Sequence, residues 1–160
     1  MKKIKLILLT LIFASGYVFS EPVLNEAKIK AIGEELKQAI KNQDISVFEK
    51  YLYSGSKIII DLDPANNRGE KEVSYDEYMK LLKMSLKIMG DAVIHDELLT
   101  ISIDKDKNEA TVEEKTTAII EMMGMKIEDV SITKTTYGVI NGKIKVLISQ
   151  DQLVSSGLAQ

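Results

Sequence analysis

Between His95 and Tyr137 the chain carries residue types that could do chemistry if strands bring them to one face: His95, Glu97, Glu114, Thr116, Asp129, Ser131, Thr133, Thr135 and Tyr137. A carboxylate set among hydroxyls and an aromatic ring can orient a small polar ligand. If burial raises its pKa toward neutrality, the same carboxylate can act as a general base. Glu114, Glu97 and His95 are the candidate bases, and Tyr137 is the candidate hydrogen-bond donor. A plainer outcome competes with both. Thr is ordinary in strands, and His95, Glu97 and Asp129 can simply reach solvent at a rim.

Other chemistries find less support. There is no Gly-x-Ser-x-Gly elbow and no phosphate-binding glycine loop, and the sole His precedes Asp96 in a strand pattern. One His and no Cys leave zinc almost nothing to bind. Asp61, Asp63, Asn67 and Glu72 fall at the first, third, seventh and twelfth positions of a calcium-binding loop. The fifth and sixth positions are Ala65 and Asn66, and the flanks read as strand, so an ordinary acidic hairpin loop is expected. The expectation is therefore no metal and no cofactor.

These residues must be positioned by a meander of strands at 92–104, 110–122, 127–140 and 143–151, joined by turns at 105–109, Gly124-Met125 and Asn141-Gly142. Asn-Gly between β-branched runs is a strong hairpin signal, and Gly-Met fits a turn with Gly first. Two-residue loops set Tyr137 by Val146 and Thr135 by Ile148. They also set Glu114 by Thr135 and Thr116 by Thr133, with Ile101 by Glu114, Glu97 by Ala118 and His95 by Ile120. One face then collects the polar residues with Leu99, Ile101, Ile103, Val112, Ala118, Ile120, Met122, Val139, Ile144, Val146 and Ile148. The other carries Glu113, Lys115, Glu121, Glu128, Lys134, Lys143 and Lys145, and looks outward. Polar groups on a core face are costly unless paired, which points to a wet pocket. A β-bulge in the first strand would turn His95 and Glu97 outward. Ile94, Leu98, Ile119, Val130, Ile132 and Leu147 lie among the outer charges and predict a homodimer through that face.

Ahead of the meander, Ile29, Ile32, Leu36 and Ile40 recur at helical spacing behind an Asn25 cap. Asp44 offers a cap for a short second helix with Val47, Phe48, Tyr51 and Leu52. Ile58, Ile59 and Ile60 mark a strand, residues 64–67 a turn, and residues 70–73 a return strand. Ser74 with Glu77 forms a capping box for a third helix ending at Gly90.

Lys2, Lys3 and Lys5 precede an apolar run, and Val18-Phe19-Ser20 fits a cleavage site, so residues 1–20 read as a signal peptide. Its removal takes away three lysines, so the net charge of −3 becomes −6 on a chain without Cys. The expected protein is exported, periplasmic or secreted, with no disulfide and no membrane association after cleavage. An acidic surface without a basic block excludes nucleic acid as a partner.

The helix at 26–41, the segment Asp44 to Leu52, the strand from Lys57, Ser74-Tyr75-Asp76-Glu77-Tyr78 with its helix, and the meander together resemble the nuclear transport factor 2-like family. That family includes ketosteroid isomerases and polyketide cyclases. The resemblance implies an α+β fold: a cone-shaped, curved, mostly antiparallel sheet packed on three helices from the N-terminal half, with a pocket at its open end. It covers one domain at 21–151 and leaves 152–160 as a C-terminal tail. Family enzymes use carboxylates, tyrosines or histidines in the pocket. The isomerase pattern of a helix Tyr with two strand carboxylates has no position-by-position match, so no catalytic role is carried over. Glu114, Thr116, Thr133, Thr135, Tyr137, His95 and Glu97 are the expected ligand-binding residues. The function expected is an exported small-ligand binder without enzymatic activity. The alternatives are an isomerase, dehydratase or cyclase, and a protein-interaction module of an envelope assembly.

Overall fold

The computed structural model describes residues 22–61, 69–89, 92–122 and 124–159. The expected signal peptide, the loop weighed for calcium and the Gly90 cap fall wholly or largely outside them. Three helices, α1 (Glu26–Asn42), α2 (Ile45–Tyr51) and α3 (Tyr75–Met89), lie against one sheet. Its strands are β1 (Lys57–Asp61), β2 (Lys71–Val73), β3 (Val93–Asp104), β4 (Glu109–Met122), β5 (Met125–Ile140) and β6 (Lys143–Leu158), in the order β2-β1-β6-β5-β4-β3. All pairs are antiparallel except β1 with β6. This is the curved, unclosed, mostly antiparallel α+β cone.

The helix starts follow their caps. The Asn25 side chain accepts from Lys28 N–H at 2.9 Å, Asp44 from Ser46 N–H at 3.0 Å, and Ser74 Oγ from Glu77 N–H at 3.2 Å. The α1 stripe divides in two. Ile29 and Ile32 are buried in a core with Ile58, Ile60, Val73, Met79, Ala110 and Val112, whereas Leu36 and Ile40 are only half-buried because they line a cavity.

Register is where sequence and structure part. The β4–β5 hairpin closes with Met122 opposite Met125 around Gly124, whose φ of 76° suits glycine. The expected register is thus displaced by two residues, which preserves the faces and changes the neighbours: Glu114 opposes Thr133, and Thr116 opposes Ser131. The β3–β4 turn is also longer than a two-residue tip, with Asp104 opposite Glu109 and Asp104 Oδ1 accepting from the N–H groups of Asp106 and Lys107 at 3.1 Å.

Two of the three bulges do more, because an extra residue reverses which face every later side chain takes; the third, at Val154, lies farther along β6. In β3, Leu99 is unpaired between Leu98–Glu114 and Thr100–Glu113. His95 and Glu97 consequently pair with Thr117 and Lys115 on the outer face and are exposed, while Ile94, Asp96 and Leu98 turn inward. In β6, Leu147 is unpaired between Val146–Tyr137 and Ile148–Thr136, so Ile148 turns outward and Ser149 and Asp151 turn inward. Ile94 and Leu98 therefore leave the outer apolar patch. Residues 152–158, expected as tail, continue β6, and Ala159 N–H donates to Lys126 O at 2.9 Å.

The β6 bulge rests on a missing side chain. A Cβ at Gly138 would lie 2.6 Å from Leu147 Cδ1 and 3.1 Å from Cγ. Gly138→Ala should therefore lower stability by about 1–3 kcal/mol through overpacking. Urea unfolding measures this, and an unchanged midpoint would show that Leu147 does not hold the bulge.

Candidate functional site

The inward residues of β4, β5 and β6 face the helices across a cavity of about 260 Å³. One wall is apolar, from Leu36 and Ile40 of α1, Phe48 of α2, and Leu82 and Leu86 of α3. The sheet wall is polar, with Glu114, Thr116, Ser131, Thr133, Thr135, Tyr137, Ser149 and Asp151, and Asp96 comes from β3. Of the residues singled out in the sequence, the structure brings together Glu114, Thr116, Ser131, Thr133, Thr135 and Tyr137. His95 and Glu97 do not join them, because the β3 bulge turns them to the other face. Asp129 is on the inner face opposite Ala118 but does not line the cavity, and its buried Oδ1 has no hydrogen-bond partner among the described residues.

Asp96, Asp151, Ser149, Tyr78 and Lys37 were not found by sequence reasoning. The first three enter the cavity only through the bulges. A signal was present in the sequence: both bulges sit where apolar residues adjoin, at Leu98-Leu99 and at Val146-Leu147-Ile148, breaking strict alternation. Tyr78 reads as one more apolar position on α3, and Lys37 as part of the solvated face of α1.

The polar groups fall into two sets. Near α1, Thr116 Oγ1 donates to Asp96 Oδ1 at 2.9 Å, and Lys37 Nζ lies 3.9 Å from Asp96 Oδ2 and 3.3 Å from Glu34 Oε1. Glu114 stands beside this set. Burial pushes its pKa up, Lys37 opposes that, and the acids Asp96 and Glu34 reinforce it. Helix α1 lies against Glu114 here: a Cβ at Gly33 would be in ordinary contact, 3.9 Å from Glu114 Oε1. On the β6 side, Thr133 Oγ1 donates to Asp151 Oδ1 at 2.5 Å. Burial raises the Asp151 pKa and the Thr133 bond partly offsets it.

Tyrosines complete the lining. Tyr51 donates to Glu35 Oε2 at 2.5 Å, and Lys50 Nζ holds the same carboxylate at 2.7 Å, tying α1 to α2. Tyr137 is only 6% exposed, and its phenol bonds to no described residue. Burial, then Glu114 and Tyr51, push its pKa well up; burial, then Asp151 and Tyr137, do the same for Tyr78. Both phenols therefore remain protonated donors at neutral pH.

A carboxyl whose pKa is raised on folding stabilises the protein when protonated, below its unfolded value, and that contribution is lost as pH rises through the folded value. Asp151→Asn removes the buried charge and keeps an acceptor for Thr133. Urea midpoints should show the variant more stable than the parent at neutral pH, the gap closing as pH falls toward about 4, the ordinary carboxylate range. A gap independent of pH would mean that Asp151 is not held in a charge-averse setting.

No protein-family model matches the chain, and no curated protein matches its sequence. Solved structures do. A type 2 hexachlorocyclohexane dehydrochlorinase, LinA, aligns with a TM-score of 0.64 at 9% identity, covering 84% of this chain and 88% of that one. A conserved protein from Planctomyces limnophilus aligns with a TM-score of 0.65 at 11% identity, covering 81% and 95%. An NTF2-like protein from Cytophaga hutchinsonii gives 0.57 at 15% identity, covering 82% and 100%. With the sheet order and the concave cavity already described, these likenesses give the chain the nuclear transport factor 2-like fold.

Proposed function

We propose that this chain is an exported domain that binds a small ligand inside its cone. The observation behind the reading is the Tyr137 phenol, which bonds to no described residue and opens on a cavity whose opposite wall is apolar. An acceptor on a ligand entering the cavity would take the hydrogen bond that this hydroxyl offers. Glu114 adds a second group with no hydrogen bond to a described residue. Thermal unfolding against a panel of small amphiphiles tests the reading. One chemical class, at about a hundred times its Kd, should raise Tm by on the order of 5–10 °C. The rise should vanish in Ser131→Phe, which fills the cavity. If no class shifts Tm, or if the shift survives in Ser131→Phe, the reading fails.

A second reading, an isomerase, dehydratase or cyclase-type enzyme, has one observation in its favour. Glu114 is a carboxyl with a raised pKa, close enough to Tyr137 to affect its titration, and Tyr78 on α3 lies near the Asp151 carboxyl. Glu114 would be the base and Tyr137 the donor. His95 and Glu97 face away from the cavity and have no part in this scheme. In an enzyme the bound compound is converted on incubation, and Glu114→Gln slows the conversion about 10²–10⁴-fold. A binder returns its ligand unchanged.

Export is proposed from the basic start and apolar run of residues 1–20, and pairing of two copies from Ile119, Val130 and Ile132 on the outer face. Protein recovered from expressing cells should begin at Glu21 by mass spectrometry and scatter light as a dimer. A chain beginning at Met1 overturns export, and a monomer mass at micromolar concentration overturns pairing.

A further inference from the structure

The charges around the cavity do not balance. Among the described residues that line it, Lys37 is the one cation, and it is engaged by Glu34 and Asp96 at 3.3 Å and 3.9 Å. Asp151 is left without a counter-ion, and Glu114 makes no ion pair with Lys37, whose charge offsets less than burial adds. Glu114 hydrogen-bonds to no described residue, and Asp151 accepts only the Thr133 hydroxyl. The two acids belong to one cross-strand row: Glu114 of β4 pairs with Thr133 of β5, which pairs with Asp151 of β6. Two strand spacings, roughly 10 Å, separate their backbones, and both side chains line the concave face.

An independent observation marks the same space as a ligand site. Tyr137, 6% exposed, presents there a phenol with no partner among the described residues. Charge selects what would enter. An anion would meet two carboxyl groups with no free cation to receive it. A neutral molecule would leave both acids uncompensated in a partly desolvated space, a costly arrangement. A cation supplies what is missing, and the rings of Phe48, Tyr51, Tyr78 and Tyr137 on the lining suit one further. Burial raises the pKa of both acids, and a cation beside them would oppose that shift.

We propose that the ligand is a small organic amine, bound as its cation on the Glu114–Thr133–Asp151 row with its apolar body against Phe48, Leu82 and Leu86. The inference rests on the ligand-binding reading above and narrows it to a chemical class. Calorimetric titration of the folded protein near neutral pH with benzylamine, benzyl alcohol and benzoate tests it, since the three share a shape and differ in charge. Benzylamine should bind at least about tenfold tighter than the alcohol, and benzoate weakest of all. Glu114→Gln and Asp151→Asn should each reduce the preference for the amine, while Glu113→Gln, one position along β4 on the outer face, should leave it intact. Circular dichroism confirms that each variant is folded. Equal or tighter binding of the alcohol or of benzoate overturns the amine class and leaves the cavity a binding site. A preference that survives both cavity variants equally overturns it, because the amine is then held elsewhere. Failure of all three probes, with no Tm shift from any compound panel, overturns the binding reading as well.

Discussion

A strand residue without a partner across the ladder turns over everything that follows it, and this constraint decides the chemistry of the cavity. Leu99 does so in β3 and Leu147 in β6. Were β3 regular from its hairpin onward, His95 and Glu97 would share the face of Ile101 and Asp96 would not. Were β6 regular, Ile148 would occupy the inner face and Ser149 and Asp151 would point to solvent. The bulges exchange one set for the other. They also bend the strands, giving the sheet the concavity that leaves room between it and the helices.

Packing and polarity are divided along α1. Around Ile29 and Ile32 the helix closes on Ile58, Val112 and Ala110, and the interior is apolar throughout. Past Gly33 the helix still lies near β4, but the sheet now offers Glu114, Thr116 and Asp96, and Leu36 and Ile40 face open space. The ion pair of Lys50 with Glu35, joined by the Tyr51 hydroxyl, fastens α2 to α1 beside this opening. Because that carboxylate is accessible and satisfied, its pKa is lowered, by Lys50 first and then Tyr51. Glu114, the same residue type a short distance away, is shifted in the opposite direction because burial dominates.

Much of this was legible in the sequence. Alternation in β4 and β5 placed Glu114, Thr116, Thr133, Thr135 and Tyr137 on one face, and the two-residue error in register did not disturb that result because the side-chain period is two. Asn141 and Gly142, at φ of 51° and 72°, form the turn their types demand. What escaped was non-local. Adjoining apolar residues mark where alternation breaks, but which of them leaves the ladder depends on what lies opposite, such as the bare Cα of Gly138 beneath Leu147. The parallel neighbour of β6 was equally invisible, since Lys57 and Ile148 are joined by nothing in the chain between them.

That parallel pairing also sets an order of events. β1 has β2 on one side, a short antiparallel partner from nearby in the chain, but its place in the sheet is made by Ile148 to Gln152. Contacts between distant segments are slow to form, because loop closure must be met before they stabilise anything. β3, β4 and β5 can assemble from neighbours as hairpins. The helices and β1, by contrast, have no finished sheet to settle on until the last strand is in hand, so the cavity they enclose is among the final features of the fold to take shape.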